Sequence, residues 1–390
     1  MTVPLQCRAA CLAIAISTVV AAPPGKAGNW SLRGALSQRF EAEVVQTDSD
    51  DDGLGFGSIT DLDAVFGYET PTTRWTFSPG VRGSFGFGEN GGAVADSLLP
   101  RLDAGIVHNR PLDSFSFTAS VLPTQASDTL FDETGEVSRD VIEISSNIGL
   151  GWTHRFDPTH RMILGASFND IRFTEDTEDL AESQRAGFSA RVERDATART
   201  TLGLTSEFSY TQFDNETDTK NRRLRLLGTA DHSLNSRWSL SGSGGVAFST
   251  SDESGPTGND EQSTNFQGSL AATYDSPDTD FTFGIEQAVI DSATGDTRNT
   301  TSAFADLSHG INARSRISVG VGISLQDILF AQENNDESRT TLSIAPSYSV
   351  SLTRDWTVQL GYRLRTALDD GDDMTNLVFI QFSRGFTELR

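Results

Sequence analysis

The sequence predicts an all-β protein, a closed antiparallel transmembrane β-barrel of about 18 strands (16–18), with short turns at one end and longer acidic loops at the other. Two observations lead to this fold class. Apolar and polar residues alternate along successive segments of roughly 10 to 15 residues, as in β-strands with two unlike faces. The connections between these segments alternate between short and long, which is typical of strands that cross a membrane back and forth.

The first 27 residues have the composition of a cleavable signal peptide. Arg8 precedes an apolar stretch over residues 9–22, small residues follow it, and the segment contains no acidic side chain. The stretch is about 14 residues long and a transmembrane helix needs about 20, so cleavage is favoured over a retained anchor. We therefore divide the chain into a signal peptide, residues 1–27, and one barrel domain, residues 28–390.

Composition excludes several classes of protein. Cys7 and Cys11 are the only cysteines and both precede the predicted barrel, which leaves it without a disulfide, a thiolate metal ligand or a cysteine nucleophile. The formal charge of −24 becomes −26 once Arg8 and Lys26 are removed, and this disfavours nucleic acid as a partner. Mean hydropathy is −0.31, too low for a helical membrane bundle. It suits a barrel, in which only alternate residues meet lipid.

Alternation is clearest over residues 74–87. Trp75 and Phe85 share one face with other apolar residues, while Arg74 and Arg82 occupy the opposite face. The same division recurs over residues 142–153, 202–210, 317–325, 342–350 and 356–364. A soluble β-sandwich array or solenoid is the alternative, because alternation alone does not distinguish lipid from a protein core. Closure into a barrel is favoured because an open sheet of this length would expose aggregation-prone edges.

Connection lengths predict which strand ends share a side. Short turns contain Pro, Asn or Asp and cover residues 70–72, 109–111, 157–158, 235–236, 276–278 and 354–355. Longer acidic connections cover residues 46–56, 88–96, 125–138, 174–184, 213–220, 250–262, 291–298, 331–338 and 368–373. Both chain termini are expected on the side of the short turns.

Aromatic residues are predicted to mark one membrane interface. All five tryptophans lie at strand ends beside short turns, where rings with a polar edge prefer to sit. We expect them to form one aromatic girdle: Trp30, Trp75, Trp152, Trp238 and Trp356. The five histidines, His108, His154, His160, His232 and His309, flank the same turns. The alternative is that large residues simply collect at strand ends.

The inward face is predicted to carry charges of both signs. Its arginines are Arg33, Arg39, Arg74, Arg82, Arg101, Arg185, Arg191, Arg223, Arg225, Arg363 and Arg365. Its acids are Glu41, Asp61, Asp63, Asp103, Glu143, Glu193, Glu207, Asp231 and Glu286. These charges indicate a water-filled conduit or, alternatively, pairs that merely satisfy a solvated lumen. Because even the longest connections are modest and no N-terminal domain is present, we expect neither a dedicated constriction nor a plug.

Residues 28–390 resemble bacterial outer-membrane β-barrel proteins and are porin-like in strand number and length. The final strand, residues 376–386, resembles the aromatic-rich C-terminal signal read by the barrel-assembly machinery, although the chain continues to Arg390. Residues 73–78, after a proline turn, resemble poorly characterised barrels of surface polysaccharide systems. The resemblance implies a Gram-negative outer membrane, surrounding lipid and lipopolysaccharide, both termini in the periplasm and acidic loops outside. It leaves the oligomeric state open.

One acidic loop is a weak candidate for calcium. Asp48, Asp50 and Asp52 precede Gly53, as at the start of a calcium loop, but position twelve is Ile59 where a bidentate glutamate is needed. Other acidic clusters are expected to be solvated or to bind Ca²⁺ or Mg²⁺ that bridges to lipopolysaccharide phosphates. No other cofactor is expected.

Two functions follow from these features. The polar inward face predicts a porin-like passive channel for small hydrophilic solutes. The alternative is a structural or surface-interaction barrel, a partner in adhesion or polysaccharide export, that acts through its acidic loops. An enzyme is not predicted, because the sequence lacks HExxH, GxSxG and P-loop motifs, although the fold alone does not exclude one.

Overall fold

The computed structural model describes residues 28–46, 53–88, 96–126, 141–174, 180–214, 218–252, 260–292, 295–330, 338–368 and 374–389. These ranges contain eighteen β-strands. Their bounds are β1 Asn29–Gln46, β2 Gly53–Glu69, β3 Thr73–Gly88, β4 Ser97–Asn109, β5 Asp113–Gln125, β6 Ile142–Arg155, β7 His160–Phe173, β8 Glu182–Thr197, β9 Thr200–Asp214, β10 Lys220–Ser233, β11 Trp238–Asp252, β12 Asp260–Asp275, β13 Thr279–Asp291, β14 Thr297–Asn312, β15 Ser315–Phe330, β16 Arg339–Ser351, β17 Trp356–Ala367 and β18 Met374–Leu389.

The eighteen strands form one closed sheet. Each strand pairs antiparallel with its neighbours in the sequence, and β1 also pairs with β18, for example Phe40 with Ile380. The sheet therefore has no free edge. The predicted all-β closed barrel is confirmed, with the strand number at the upper end of the expected range. Within the described ranges, no helix is long and apolar enough to cross a membrane.

The two faces of the sheet differ as the alternation predicts. On β9, Leu202, Leu204 and Phe208 project outward and are 47%, 66% and 47% exposed. Thr205 and Glu207, on the opposite parity, face the lumen. The same apolar exterior continues around the other strands, and such a continuous exposed apolar surface requires lipid around it.

The turns of one end contain two to four residues each, and we call this the short-turn end. Several of these turns use the same device, in which a side-chain oxygen accepts hydrogen bonds from the next backbone N–H groups. Asn235 Oδ1 accepts from the backbone nitrogens of Arg237 at 2.8 Å and Trp238 at 3.0 Å. Asn312 Oδ1 accepts from the backbone nitrogen of Arg314 at 2.8 Å in the same way. These bonds fix the register of each hairpin.

One hairpin departs from the regular wall. β12 and β13 pair from the short-turn end as far as Gly268 and Gln287. Beyond that pair, the described residues 260–267 of β12 and 288–291 of β13 do not pair with each other. β13 and β14 remain paired up to Asp291 and Thr297. The far end of the β13–β14 hairpin is therefore free to leave the cylinder.

Candidate functional site

The lumen wall carries the charges of both signs that the alternation predicts, and most of them are paired. Arg82 lies on β3, with its Nε 2.7 Å from Asp61 Oδ1 on β2. Its Nη1 donates to the carbonyl oxygen of Pro123 at 2.9 Å. Further pairs join Arg39 to Glu41, Arg101 to Asp103, Arg225 to Glu207 and Arg316 to Asp280. These pairs fit the interpretation of charges that satisfy a solvated lumen.

Glu193 shows how closely such pairs interlock. Its side chain is 4% exposed and contacts two arginines, Arg161 on β7 and Arg191 on β8, the second at 2.6 Å. Arg191 also lies 3.6 Å from Asp231 on β10. Positive and negative groups therefore alternate around this part of the wall, and little net charge faces the lumen.

The end of the β13–β14 hairpin lies inside the barrel. Val289 is 1% exposed, and Ser292 and Thr297 are 2% and 1% exposed. A residue that merely lined a wide lumen would stay open on its inner side. Such burial means that the hairpin end packs against other parts of the barrel, and we call residues 288–292 and 295–298 the inner tip.

Asp291 attaches the inner tip to β9 and β10. Its carboxylate accepts hydrogen bonds from Thr211 Oγ1 at 2.9 Å, from Asn221 Nδ2 at 3.4 Å and from Thr297 Oγ1 at 3.2 Å. It also forms an ion pair with Arg223, and the two side chains are 3% and 5% exposed. Two strands, β11 and β12, separate β10 from β13 in the wall. The contact therefore bridges part of the lumen instead of following the sheet.

A cavity of about 300 Å³ lies between the inner tip and the inner face of β6 to β9. Asp291 and Ser292 line one side. The opposite side includes Asn147, Asn169 and Arg185. The inner tip thus narrows the lumen at this level and leaves a small polar space beside it.

The sequence predicts no dedicated constriction, and that prediction is wrong. Residues 291–298 have the composition of the other acidic connections and were expected to lie outside. The inner tip nevertheless enters the lumen, because the ends of β13 and β14 themselves bend inward. The length of the connection between them therefore does not reveal the constriction. Gly295 has a φ of 87°, which favours glycine, and its backbone nitrogen donates to Ser292 O at 3.1 Å.

The five predicted tryptophans all lie near strand ends on the side of the short turns. Trp30 packs against Tyr68 and Trp75, with ring centroids 4.7 and 5.1 Å apart. Trp152 Nε1 donates to Asp113 Oδ1 at 3.1 Å. Trp238 contacts the Tyr274 ring at 5.0 Å, and Arg384 lies 5.3 Å over the Trp356 ring. A membrane-facing girdle remains a prediction for these residues.

Three histidines at the short-turn end share one arrangement. In each case the hydroxyl of a strand's first residue lies 2.8 to 2.9 Å from Nδ1 of a histidine on the neighbouring strand. The pairs are Thr73 with His108, Thr200 with His232 and Thr279 with His309. These imidazoles are thereby held at strand ends, far along the strands from the inner tip.

The weak calcium candidate, Asp48, Asp50 and Asp52, lies outside the described residues. In the part of the chain that the structure describes, no group of three or more His, Cys, Asp or Glu side chains is placed to hold a metal ion. The cavity beside the inner tip is therefore the candidate site with the most developed geometry.

No protein-family model matches the sequence, and no curated protein is similar to it. Solved structures share the fold. Acinetobacter baumannii OccAB4 is 12% identical with a TM-score of 0.50, and the match covers 93% of this chain and all of OccAB4. Pseudomonas aeruginosa OpdL is 10% identical with a TM-score of 0.49, covering 92% and 99%. Pseudomonas aeruginosa OprD is 12% identical with a TM-score of 0.47, covering 92% and 95%. These solved structures are outer-membrane porins. At such low identity, the likeness of OccAB4 to this chain is one of fold alone.

Proposed function

From the barrel fold that this chain shares with outer-membrane porins, we propose that it is an outer-membrane channel through which small hydrophilic solutes diffuse passively. The observation that carries the proposal is the division of every described strand into an apolar outer face and a polar inner face. A polar lining replaces the hydrogen bonds that a hydrophilic solute makes in water and so lowers the barrier to its passage. No step of this function requires a cofactor.

The inner tip supports a channel over a barrel that acts only through its surface loops. Asp291, Thr211, Asn221 and Arg223 form a buried polar network within the lumen. In a channel, such an ordered network would narrow the passage and so limit which solutes pass. Charge pairing along the wall, as at Arg82 and Asp61, keeps either sign from dominating the passage.

We further propose that the short-turn end faces the periplasm. The predicted tryptophan girdle would then lie at the periplasmic interface of the outer membrane. β1 begins and β18 ends at this end, where Leu32 pairs with Leu389. Residues 1–27 would then act as the signal peptide and residues 28–390 as the mature barrel. The acidic connections would meet lipopolysaccharide outside, and the barrel-assembly machinery would read the last strand.

Planar bilayer recording tests the channel. Purified, refolded protein should insert in discrete conductance steps, and the same preparation should migrate faster in detergent gels before boiling than after. Stepwise conductance supports the proposal. A preparation that shows the heat-dependent shift but gives no conductance would refute it, because a folded barrel would then be closed.

A further inference from the structure

We propose that the cavity beside the inner tip is a binding site for a small neutral polyhydroxylated solute of about monosaccharide size. The inference rests on the proposed function, and it adds a ligand class and the residues that recognise it. Three observations support it: the strand register of β6 to β9, polar side chains that have no partner among the described residues, and the charges around the cavity.

Strand register places four polar side chains in one row across the inner wall. Asn147 pairs with Asn169, Asn169 with Arg185, and Arg185 with Thr211, so that consecutive strands each contribute one residue at the same level. We call these four residues the polar row. With neighbouring strands about 4.8 Å apart, the row spans roughly 14 Å. That is long enough to contact a sugar ring at several points.

The level next to the polar row, toward the short-turn end, consists of small residues. It runs through Gly149, Ser167, Gly187 and Ser209 in the same register. A Cβ atom at Gly187 would lie 2.7 Å from Ser167 Oγ, closer than real Cβ contacts allow. Glycine at this position therefore keeps space open beside the Ser167 hydroxyl, which lines the cavity.

Several polar groups of the cavity lack a protein partner. Among the described residues, the side chains of Asn147, Ser167, Ser183 and Arg185 make no hydrogen bond or ion pair. Asn169 uses one donor, Nδ2, to Ser145 Oγ at 3.3 Å. Polar groups that converge on a cavity and are left unsatisfied by the protein are typical of ligand sites.

Size and shape suit one small solute. The cavity volume of about 300 Å³ is at the lower end of the ~300–1,000 Å³ found for small-molecule sites. Ile171 adds apolar surface to the lining. Ring carbons of a sugar can pack on such surface while its hydroxyls meet the polar row.

The chemistry of the lining favours a neutral ligand with adjacent hydroxyls. Amides and hydroxyls each donate and accept, as sugar hydroxyls do, and the Arg185 fork can donate two parallel bonds to neighbouring oxygens. An anion would face the carboxylates of Glu143 and Asp291 in the same lining and, on approach, the net negative charge of the whole chain. A cation would be repelled by Arg185. A neutral solute meets neither of these electrostatic repulsions.

Glucose block of single channels tests the site. Glucose should reduce the wild-type conductance in a saturable manner. In Asn147→Leu and in Arg185→Leu the half-blocking concentration should rise about tenfold or more, as expected for losing one or two hydrogen bonds. Asn265→Leu is the matched control, because Asn265 is an inward asparagine on β12 outside the cavity. It should retain the wild-type response, and it also corrects for the viscosity of the sugar solution.

Two results would overturn the inference. Equal glucose block in the wild type and in all three variants would refute the binding site. Tighter block by gluconate than by glucose would refute a neutral ligand. Saturation-transfer NMR of glucose with the detergent-folded barrel separates this inference from the proposed function. Glucose contact without any conductance would refute only the channel, whereas conductance without glucose contact would refute only the binding site.

Discussion

Arg223 on β10 and Asp291 at the end of β13 form a buried ion pair across two intervening strands. Thr211 and Asn221 add hydrogen bonds to the same carboxylate. Within a low-dielectric interior, a buried pair is held mainly by the cost of leaving either partner alone. The pair therefore fixes the inner tip in the lumen, and its removal should free the tip.

Asp291→Ala should widen the channel. The substitution leaves Arg223 buried without its carboxylate, which costs about 3–5 kcal/mol and favours states in which the inner tip has moved out. Single-channel conductance should rise, and the urea midpoint of unfolding in lipid vesicles should fall. Asp280→Ala is the control: its partner Arg316 is 45% exposed, so at most about 1 kcal/mol is expected and no change in conductance. Unchanged conductance in Asp291→Ala would mean that the tip does not limit the pore.

Much of this fold follows from short-range patterns. The alternation around Trp75 and Arg82 assigns each side chain to the outer or inner face, because the strand period is two residues and only one face is apolar. The inner tip does not follow from such a pattern. Its contacts join Asp291 to Thr211 and Asn221, which lie 80 and 70 residues away in the sequence. Periodicity carries no information about contacts at that separation.

The polar row can be predicted from the sequence only in part. Arg185 could be assigned to the inner face from its parity, and this assignment holds in the structure. That Arg185 sits level with Asn147 and Asn169 depends on the register of two strand pairs, β6–β7 and β7–β8. Register is set jointly by turns and by long connections, so a sequence alone indicates the face of each residue but not its level in the lumen.

Asp157 should make the β6–β7 turn sensitive to acid. Hydrogen bonds, first from the Thr159 hydroxyl and then from the Thr159 backbone N–H, hold the pKa of the Asp157 carboxyl well below its usual range. A folded pKa below the unfolded value means that the stabilisation is complete above about pH 4 and is lost as the pH falls through the folded pKa. Asp157→Asn keeps the accepting oxygen without the titration. As the pH is lowered below about 4, the urea midpoint of unfolding should therefore fall more steeply for the wild type than for Asp157→Asn. Parallel plots of midpoint against pH would contradict this prediction.

The predicted girdle should be visible in tryptophan fluorescence. All five tryptophans lie near the short-turn end, so brominated lipids should quench them best when the bromine is near the headgroups. Phe208→Trp supplies the reference, because Phe208 projects outward from the middle of β9. Its added fluorescence should be quenched best by bromine near the chain ends. Wild-type quenching that peaks at the bilayer centre would argue against an interfacial girdle.

Leu360 and Ser347 test which face of the wall meets lipid. Leu360 lies in the middle of β17, projects outward and is 51% exposed, whereas Ser347 on β16 is nearby and faces the lumen. Leu360→Arg should cost about 2–4 kcal/mol in vesicles, because it places a charge near the bilayer midplane. Ser347→Arg should cost much less, since water and polar side chains surround the lumen face. Urea unfolding in vesicles measures both variants. Equal losses of stability would contradict a lipid-facing exterior at this level, because the two arginines would then sit in equivalent surroundings.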